Sequence, residues 1–154
     1  MSEIARRTGS EEFHLDGVGT KSTLFDIWQW SCSDLRSNAT RGRLAEYIVA
    51  MAIKAAAGDR REWVSFDLTH PNGTTVEVKS AAYVQSWKQR RPSLISFDIR
   101  STTEWNPDTA EFAPPAAQRK AAVYVFALQG EKDAAKIDPL NLAQWQFLVL
   151  STGV

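Results

Sequence analysis

Trp63-Val64-Ser65-Phe66-Asp67-Leu68-Thr69-His70-Pro71-Asn72-Gly73-Thr74-Thr75-Val76-Glu77-Val78-Lys79-Ser80 is the stretch whose reading decides the fold. Apolar and polar residues alternate on both sides of Pro71-Asn72-Gly73, the period of two that marks strands with one buried face. Pro-Asn-Gly is turn chemistry, and a three-residue loop with glycine in the left-handed region is a common hairpin connection. With residues 71–73 as the loop, 70 pairs with 74, 69 with 75, 68 with 76 and 67 with 77. Asp67 and Glu77 are then expected opposite each other on one sheet face, their Cβ atoms ~4.5–5.5 Å apart. Lys79, two residues on, is expected on the same face.

Working outward, Asn38 and Thr40 offer capping oxygens to an alanine-rich run from Arg41 to Ala57, closed by Gly58. That pattern predicts a helix. Leu44, Tyr47, Ile48, Met51 and Ala55 form a stripe at helical spacing with Val49 and Ile53 roughly opposite, so burial on two sides is expected. Leu24 to Trp30 is apolar and aromatic but too short to assign. Residues 1–22 have no period and read as a flexible N-terminal arm, leaving 23–154 as a single domain. Downstream, strands are expected at Leu94–Ile99, Ala122–Leu128 and Trp145–Leu150, the last two being apolar runs of the kind covered on both faces. Ser101 to Lys120, with three prolines, reads as a long loop, and Asp138-Pro139-Leu140 as a helix start. The order of elements predicts an α/β (α+β) fold, a mixed β-sheet core flanked by helices.

Composition narrows the function classes. A chain of 154 residues, 44% apolar and 23% charged, can bury one core and is not globally disordered. A formal net charge of zero argues against a constitutive, non-specific polyanion binder, while leaving room for a local basic groove. Cys32 is the single cysteine, which excludes an intrachain disulfide and a cysteine-based zinc site within the monomer. No apolar leader core and no run of roughly 18 apolar residues is present, so a cytoplasmic protein with no membrane partner is expected. Phosphate-loop, dinucleotide, serine-hydrolase and zinc-protease motifs are absent from the sequence.

Two carboxylates directly opposite each other destabilise a sheet unless something offsets their repulsion. A divalent cation does so, and a few oxygen ligands with positions left for water suit Mg²⁺ or Mn²⁺. The neighbouring ammonium of Lys79 can orient a water or stabilise charge on a phosphate. This is equipment for metal-assisted phosphodiester hydrolysis. Phe66-Asp67-Leu68, the turn, and Val76-Glu77-Val78-Lys79-Ser80 resemble the D…ExK signature of the PD-(D/E)xK, or restriction-endonuclease-like, nuclease superfamily, with Phe66 where the family has proline. The resemblance implies a restriction-endonuclease-like sheet preceded by a helix bearing a further glutamate, a place that Glu46 matches. It implies metal ligation by Asp67 and Glu77, water or phosphate handling by Lys79, support from Glu46, DNA as partner, and a homodimer as one arrangement for cutting two strands.

The most basic stretch follows at once: Ser80 to Pro92 interleaves Lys88, Arg90 and Arg91 with Tyr83 and Trp87. Such cations neutralise phosphates and such rings stack on bases. Gln85, which resembles a glutamine that some branches of the superfamily place beside the metal, is expected among the DNA contacts with Lys88, Arg90 and Arg91. Arg41 and Arg43 open the predicted helix, where the dipole disfavours cations, and Arg43 joins the expected DNA contacts. His70 at the hairpin turn reads as an exposed turn residue, and His14 has no visible partner. Two rival readings remain: a catalytically inactive nuclease-fold module binding nucleic acid or a protein partner, and an unrelated α+β interaction domain with a tryptophan-rich surface. The second requires Asp67 and Glu77 on opposite faces, which a one-residue slip in the hairpin produces.

Overall fold

The computed structural model describes residues 4–57, 60, 65–99, 105–106, 111–112 and 121–152. The chain forms two compact units, Met1–Leu35 and Arg36–Val154.

In the first unit, strands β1 (Glu12–Leu15) and β2 (Val18–Thr23) pair antiparallel. Asp16 and Gly17 join them with φ of 50° and 82°, the pair of positive φ values that a tight two-residue hairpin turn requires. This hairpin lies in the stretch expected as an arm. Its strand residues are almost all solvent-exposed, so no apolar alternation marks it. Helix α1 (Leu24–Cys32) follows directly, in the segment too short to assign from its apolar pattern. Its start is set by Asp26, whose carboxylate accepts the Thr23 N–H at 2.6 Å and the Thr23 hydroxyl at 3.0 Å.

In the second unit, helix α2 spans Asn38–Ala52. The cap is Ser37, rather than Asn38 or Thr40: its hydroxyl accepts the Thr40 N–H at 3.3 Å. The helix stops at Ala52, and Lys54 turns the chain with φ 58°. Gly58, the expected stop, lies outside the described residues. The buried residues of the helix are Arg41, Ala45, Ile48, Val49 and Ala50, while Tyr47 and Met51 are 50% and 45% exposed. Burial on more than one side of the helix is as expected, with Ala50 roughly opposite Arg41, but Tyr47 and Met51 of the expected stripe take no part in it.

The sheet consists of β3 (Leu68–Thr69), β4 (Thr75–Ala82), β7 (Val123–Gln129) and β8 (Trp145–Ser151), in that spatial order. Two short strands, β5 (Trp105–Asn106) and β6 (Glu111–Phe112), pair separately in the long crossover. β4 and β7 are parallel, and the two outer pairings are antiparallel. The architecture is α+β with a mixed sheet, as expected. Ala45, Ile48 and Val49 of α2 pack on Val76, Val78, Val125, Ala127 and Trp145. Ala45 and Ala127 are wholly buried, and their small side chains let helix and sheet approach closely.

The predicted turn forms as its residues dictate. Gly73 has φ 90°, the His70 N–H donates to the Thr74 carbonyl at 2.8 Å, and the Asn72 side-chain oxygen accepts the Thr74 N–H at 3.0 Å. Thr69 lies opposite Thr75 and Leu68 opposite Val76, the predicted register. Trp63 and Val64, the expected start of the first hairpin strand, lie outside the described residues. Three other expectations are corrected. Residues 94–99 form no strand; the segment instead lays the Phe97 ring 4.9 Å from that of Phe126. The Asp138-Pro139 signal gives a turn, with a 3₁₀ helix only at Leu142–Gln144, where the Asn141 side chain accepts the Ala143 N–H. And β8 is the sheet edge, with Phe147, Leu148, Val149 and Leu150 40–70% exposed, not a strand covered on both faces. No helix among the described residues is long and apolar enough to cross a membrane.

Candidate functional site

Strand alternation sets the site. Val76 and Val78 face α2 and the core, so Glu77 and Lys79 project from the opposite face of β4. There the Lys79 Nζ donates to Glu77 Oε1 at 2.5 Å, with both side chains only partly exposed. The parallel neighbour β7 sets Tyr124 beside Glu77 and Phe126 beside Lys79. Tyr124 is buried and Phe97 covers Phe126, so the charged pair stands at an aromatic floor.

Leu68 pairs with Val76 and packs on the core, which turns Asp67 to the face of Glu77 and Lys79. The opposite-face arrangement required by an unrelated interaction domain is therefore not what forms. The ladder nevertheless ends at Leu68. The Asp67 N–H donates to the Val76 carbonyl at 3.1 Å, and its Oδ2 accepts the Val78 N–H at 2.8 Å. A side-chain oxygen thus takes the place of a strand carbonyl, which is why β3 is so short. Burial pushes the Asp67 carboxyl up, against the Val78 hydrogen bond; Glu77 and Glu46 add repulsion, Lys79 draws it down, and the result is about 6. For Lys79 burial works against the charged form, but the hydrogen bond to Glu77 and the nearby Glu77, Asp67 and Tyr124 outweigh it, holding the ammonium above its ordinary value.

Glu46 is close enough to act on Asp67 electrostatically, and it is gripped by Arg60, whose Nε and Nη2 donate to its two oxygens at 2.6 and 3.2 Å. Arg60 went unmarked in the sequence, because nothing in local spacing ties it to a helix residue 14 positions earlier. Among the described residues no three carboxylate, imidazole or thiol groups converge as a metal cage. The residues that could hold a cation are Asp67 and Glu77, with Glu46 turned to Arg60. His70 is not part of the site: its Nδ1 accepts the Asn72 N–H at 3.1 Å and helps build the turn.

The basic segment begins where β4 ends. Gln85 is buried, accepting from Arg41 Nη1 at 3.0 Å and donating to the Ala82 carbonyl at 2.9 Å and Ser93 Oγ at 3.2 Å. Arg41 is 95% buried by the same contact and by Asn38, and burial lowers its pKa. Lys88, Arg90 and Arg91 are exposed on the loop that this network supports, and Arg43 is exposed on α2. The structure therefore gathers Asp67, Glu77 and Lys79 at one point, with Glu46 nearby, and places the cations of the basic loop beyond the carboxyl end of β4.

No curated protein and no solved structure matches this chain. The family model described as Bacteriophage T4 endonuclease IV matches residues 23–154, all of α1, α2 and the four-stranded sheet. On that match the chain belongs to the bacteriophage T4 endonuclease IV family.

Proposed function

We propose that this chain is a divalent-cation-dependent endonuclease hydrolysing phosphodiester bonds in DNA, in the manner of the PD-(D/E)xK superfamily. The observation that carries this reading is the meeting of Asp67, Glu77 and Lys79 on one sheet face with the Asp67 carboxyl raised to about 6. At neutral pH Asp67 is ionised, yet burial and two acidic neighbours oppose its charge, the condition in which a cation contributes most. Asp67 and Glu77 fit Mg²⁺ or Mn²⁺, which are commonly held by one or two carboxylates with water completing the shell. A cation bound there supplies Lewis-acid charge at the phosphate and a more acidic water.

The chain's own groups do the remainder. The Val78 N–H fixes the orientation of Asp67 through Oδ2 and leaves Oδ1 for ligation. Lys79 spends one N–H on Glu77 and has two others for a phosphate oxygen or the attacking water. The aromatic floor of Tyr124 and Phe126 lowers the local dielectric, where such contacts are worth more than in water. Glu46, positioned by Arg60, supports the site from α2. Lys88, Arg90, Arg91 and Arg43 are the proposed DNA contacts, Gln85 the support of their loop, and a homodimer the proposed arrangement for cutting both strands. The family's description as an endonuclease supports the same reading.

The ion pairs Lys79–Glu77 and Arg60–Glu46 favour a second reading, a nuclease-fold module that binds without cutting, since cations of the chain already engage two of the acids. Cleavage of plasmid and single-stranded DNA with Mg²⁺ or Mn²⁺ decides between them. Cleavage by wild type that is lost in folded Glu77→Ala and Lys79→Ala establishes the enzyme. Folded wild type that neither cleaves DNA nor binds Mn²⁺ leaves the binding module.

A further inference from the structure

The loops that leave the carboxyl ends of the parallel strands β4 and β7 enclose a cleft of about 420 Å³. Arg36, Lys88, Arg90, Arg91, Lys132 and Trp87 are among the residues that line it, and no carboxylate is. The carboxyl ends of parallel strands are where open α/β sheets bind ligands, and this volume is that of a small-ligand site.

The acids nearest in sequence to Lys132 are occupied elsewhere. The Glu131 carboxylate accepts the backbone N–H groups of Lys132 and Asp133, and Asp133 pairs with Lys136 at 3.5 Å. The Lys132 ammonium stands 4.5 Å over the Tyr83 ring, which orients it without neutralising it. The segment that carries Lys88, Arg90 and Arg91 is braced by a network of Arg41, Gln85, Gln89 and Ser93, in which Gln89 donates to Ser93 Oγ at 3.0 Å and the Ser93 N–H to the Tyr83 carbonyl at 2.7 Å. The cations thus project from a braced loop. In a chain of zero net charge, the cleft gathers exposed cations with no carboxylate in its lining.

We propose that this cleft is a phosphate-anchoring site for the nucleic-acid strand, with Lys132 acting alongside Lys88, Arg90 and Arg91 and Trp87 offering an apolar face to the adjoining sugar or base. It rests on the reading of the chain as a DNA-acting protein and adds to it a second, non-reacting hold on the strand. Three residues separate Lys79 from the end of β4, so the anchor lies roughly 10 Å or more along the sheet from the candidate reacting centre.

The test is DNA binding by fluorescence anisotropy in EDTA, where metal-dependent cleavage does not interfere, as a function of salt. Fluorescent oligonucleotides are used with and without a 5′-phosphate. Arg91→Ala and Lys132→Ala are each expected to lower the slope of log affinity against log salt by about 0.7–0.9, and the double variant by about twice that. Lys136→Ala, on the same loop but outside the cleft, is expected to leave the slope unchanged. Loss on both oligonucleotides identifies an internal phosphodiester as the anchored group; loss only on the phosphorylated one identifies a terminal phosphate. All three substituted residues are exposed, so the variants are expected to fold, with circular dichroism as the check. Wild-type slopes in folded Arg91→Ala and Lys132→Ala, an equal loss in Lys136→Ala, or no binding by wild type at low salt overturns the anchor. Wild type that binds with the expected slopes but never cleaves with Mg²⁺ or Mn²⁺ removes the nuclease reading and keeps the anchor.

Discussion

Asp67 Oδ2 accepts the N–H of Val78, so the side chain of one hairpin strand completes the backbone hydrogen bonding of the other. The same bond holds a partly buried carboxyl beside Glu77 and within the field of Glu46, and its folded-state pKa rises from 3.8 to about 6. Between those values the folded protein binds more protons than the unfolded chain, so this group's contribution to stability falls as pH rises through the window and is level above it. In metal-free buffer, wild type is expected to lose roughly 1–2 kcal/mol from this source, after discounting for solvent screening. Urea unfolding in EDTA at pH 4.5 and pH 7 checks it, with Asp67→Asn expected to flatten the difference. A wild-type stability attributable to Asp67 that rises over this range contradicts the burial argument.

Gln85 is the neutral acceptor for a buried guanidinium. Gln85→Leu removes the oxygen that meets Arg41 Nη1, whose Nε already has no hydrogen-bond partner. A loss of about 1–3 kcal/mol is expected, the usual range for a buried donor left unmet. Urea denaturation measures it, and an unchanged midpoint shows that Arg41 finds another acceptor.

Gly73 has open space where a Cβ would stand, so only its φ of 90° resists a side chain. Gly73→Ala is therefore expected to cost about 1–2 kcal/mol through backbone strain alone. Gly73→Asn, a residue that tolerates this region, is expected to recover part of it. Equal losses for both in thermal unfolding would locate the cost elsewhere.

Ala127 is wholly buried on the sheet face under α2. Ala127→Leu is expected to destabilise by about 1–3 kcal/mol through overpacking. If the sheet face is as tightly covered as it stands here, calorimetry shows a lower Tm; an unchanged Tm would mean the helix can lift without penalty.

Much of the site was legible because it rests on local rules. Pro71-Asn72-Gly73 set the loop, the loop set the register, and the register set Asp67, Glu77 and Lys79 on one face. What was hidden depends on pairing that no short window records. The interruption of the ladder at Asp67 is a competition between side chain and backbone. The bond from Arg60 to Glu46 and that from Gln85 to Arg41 join residues far apart in sequence. Tyr47 and Met51 misled because helical spacing names a stripe without saying which stripe meets the sheet. The apolar run of β8 misled because an edge strand and a central one can share a composition; only the order β3-β4-β7-β8 separates them. The β1–β2 hairpin escaped because exposed strands need no apolar alternation.

The parallel pairing of β4 with β7 has a kinetic consequence. Thr75 and Ala122 are brought into hydrogen-bond contact across 47 residues, whereas the β3–β4 hairpin closes over a three-residue turn. Closing so long a loop costs entropy before the distant contacts repay it. The strand bearing Glu77 and Lys79 can therefore form early with Asp67, while Tyr124 and Phe126 arrive only at the slow, late zipping of β7. A chain stalled at that point holds its charged residues together in water, without the aromatic wall that makes them unusual.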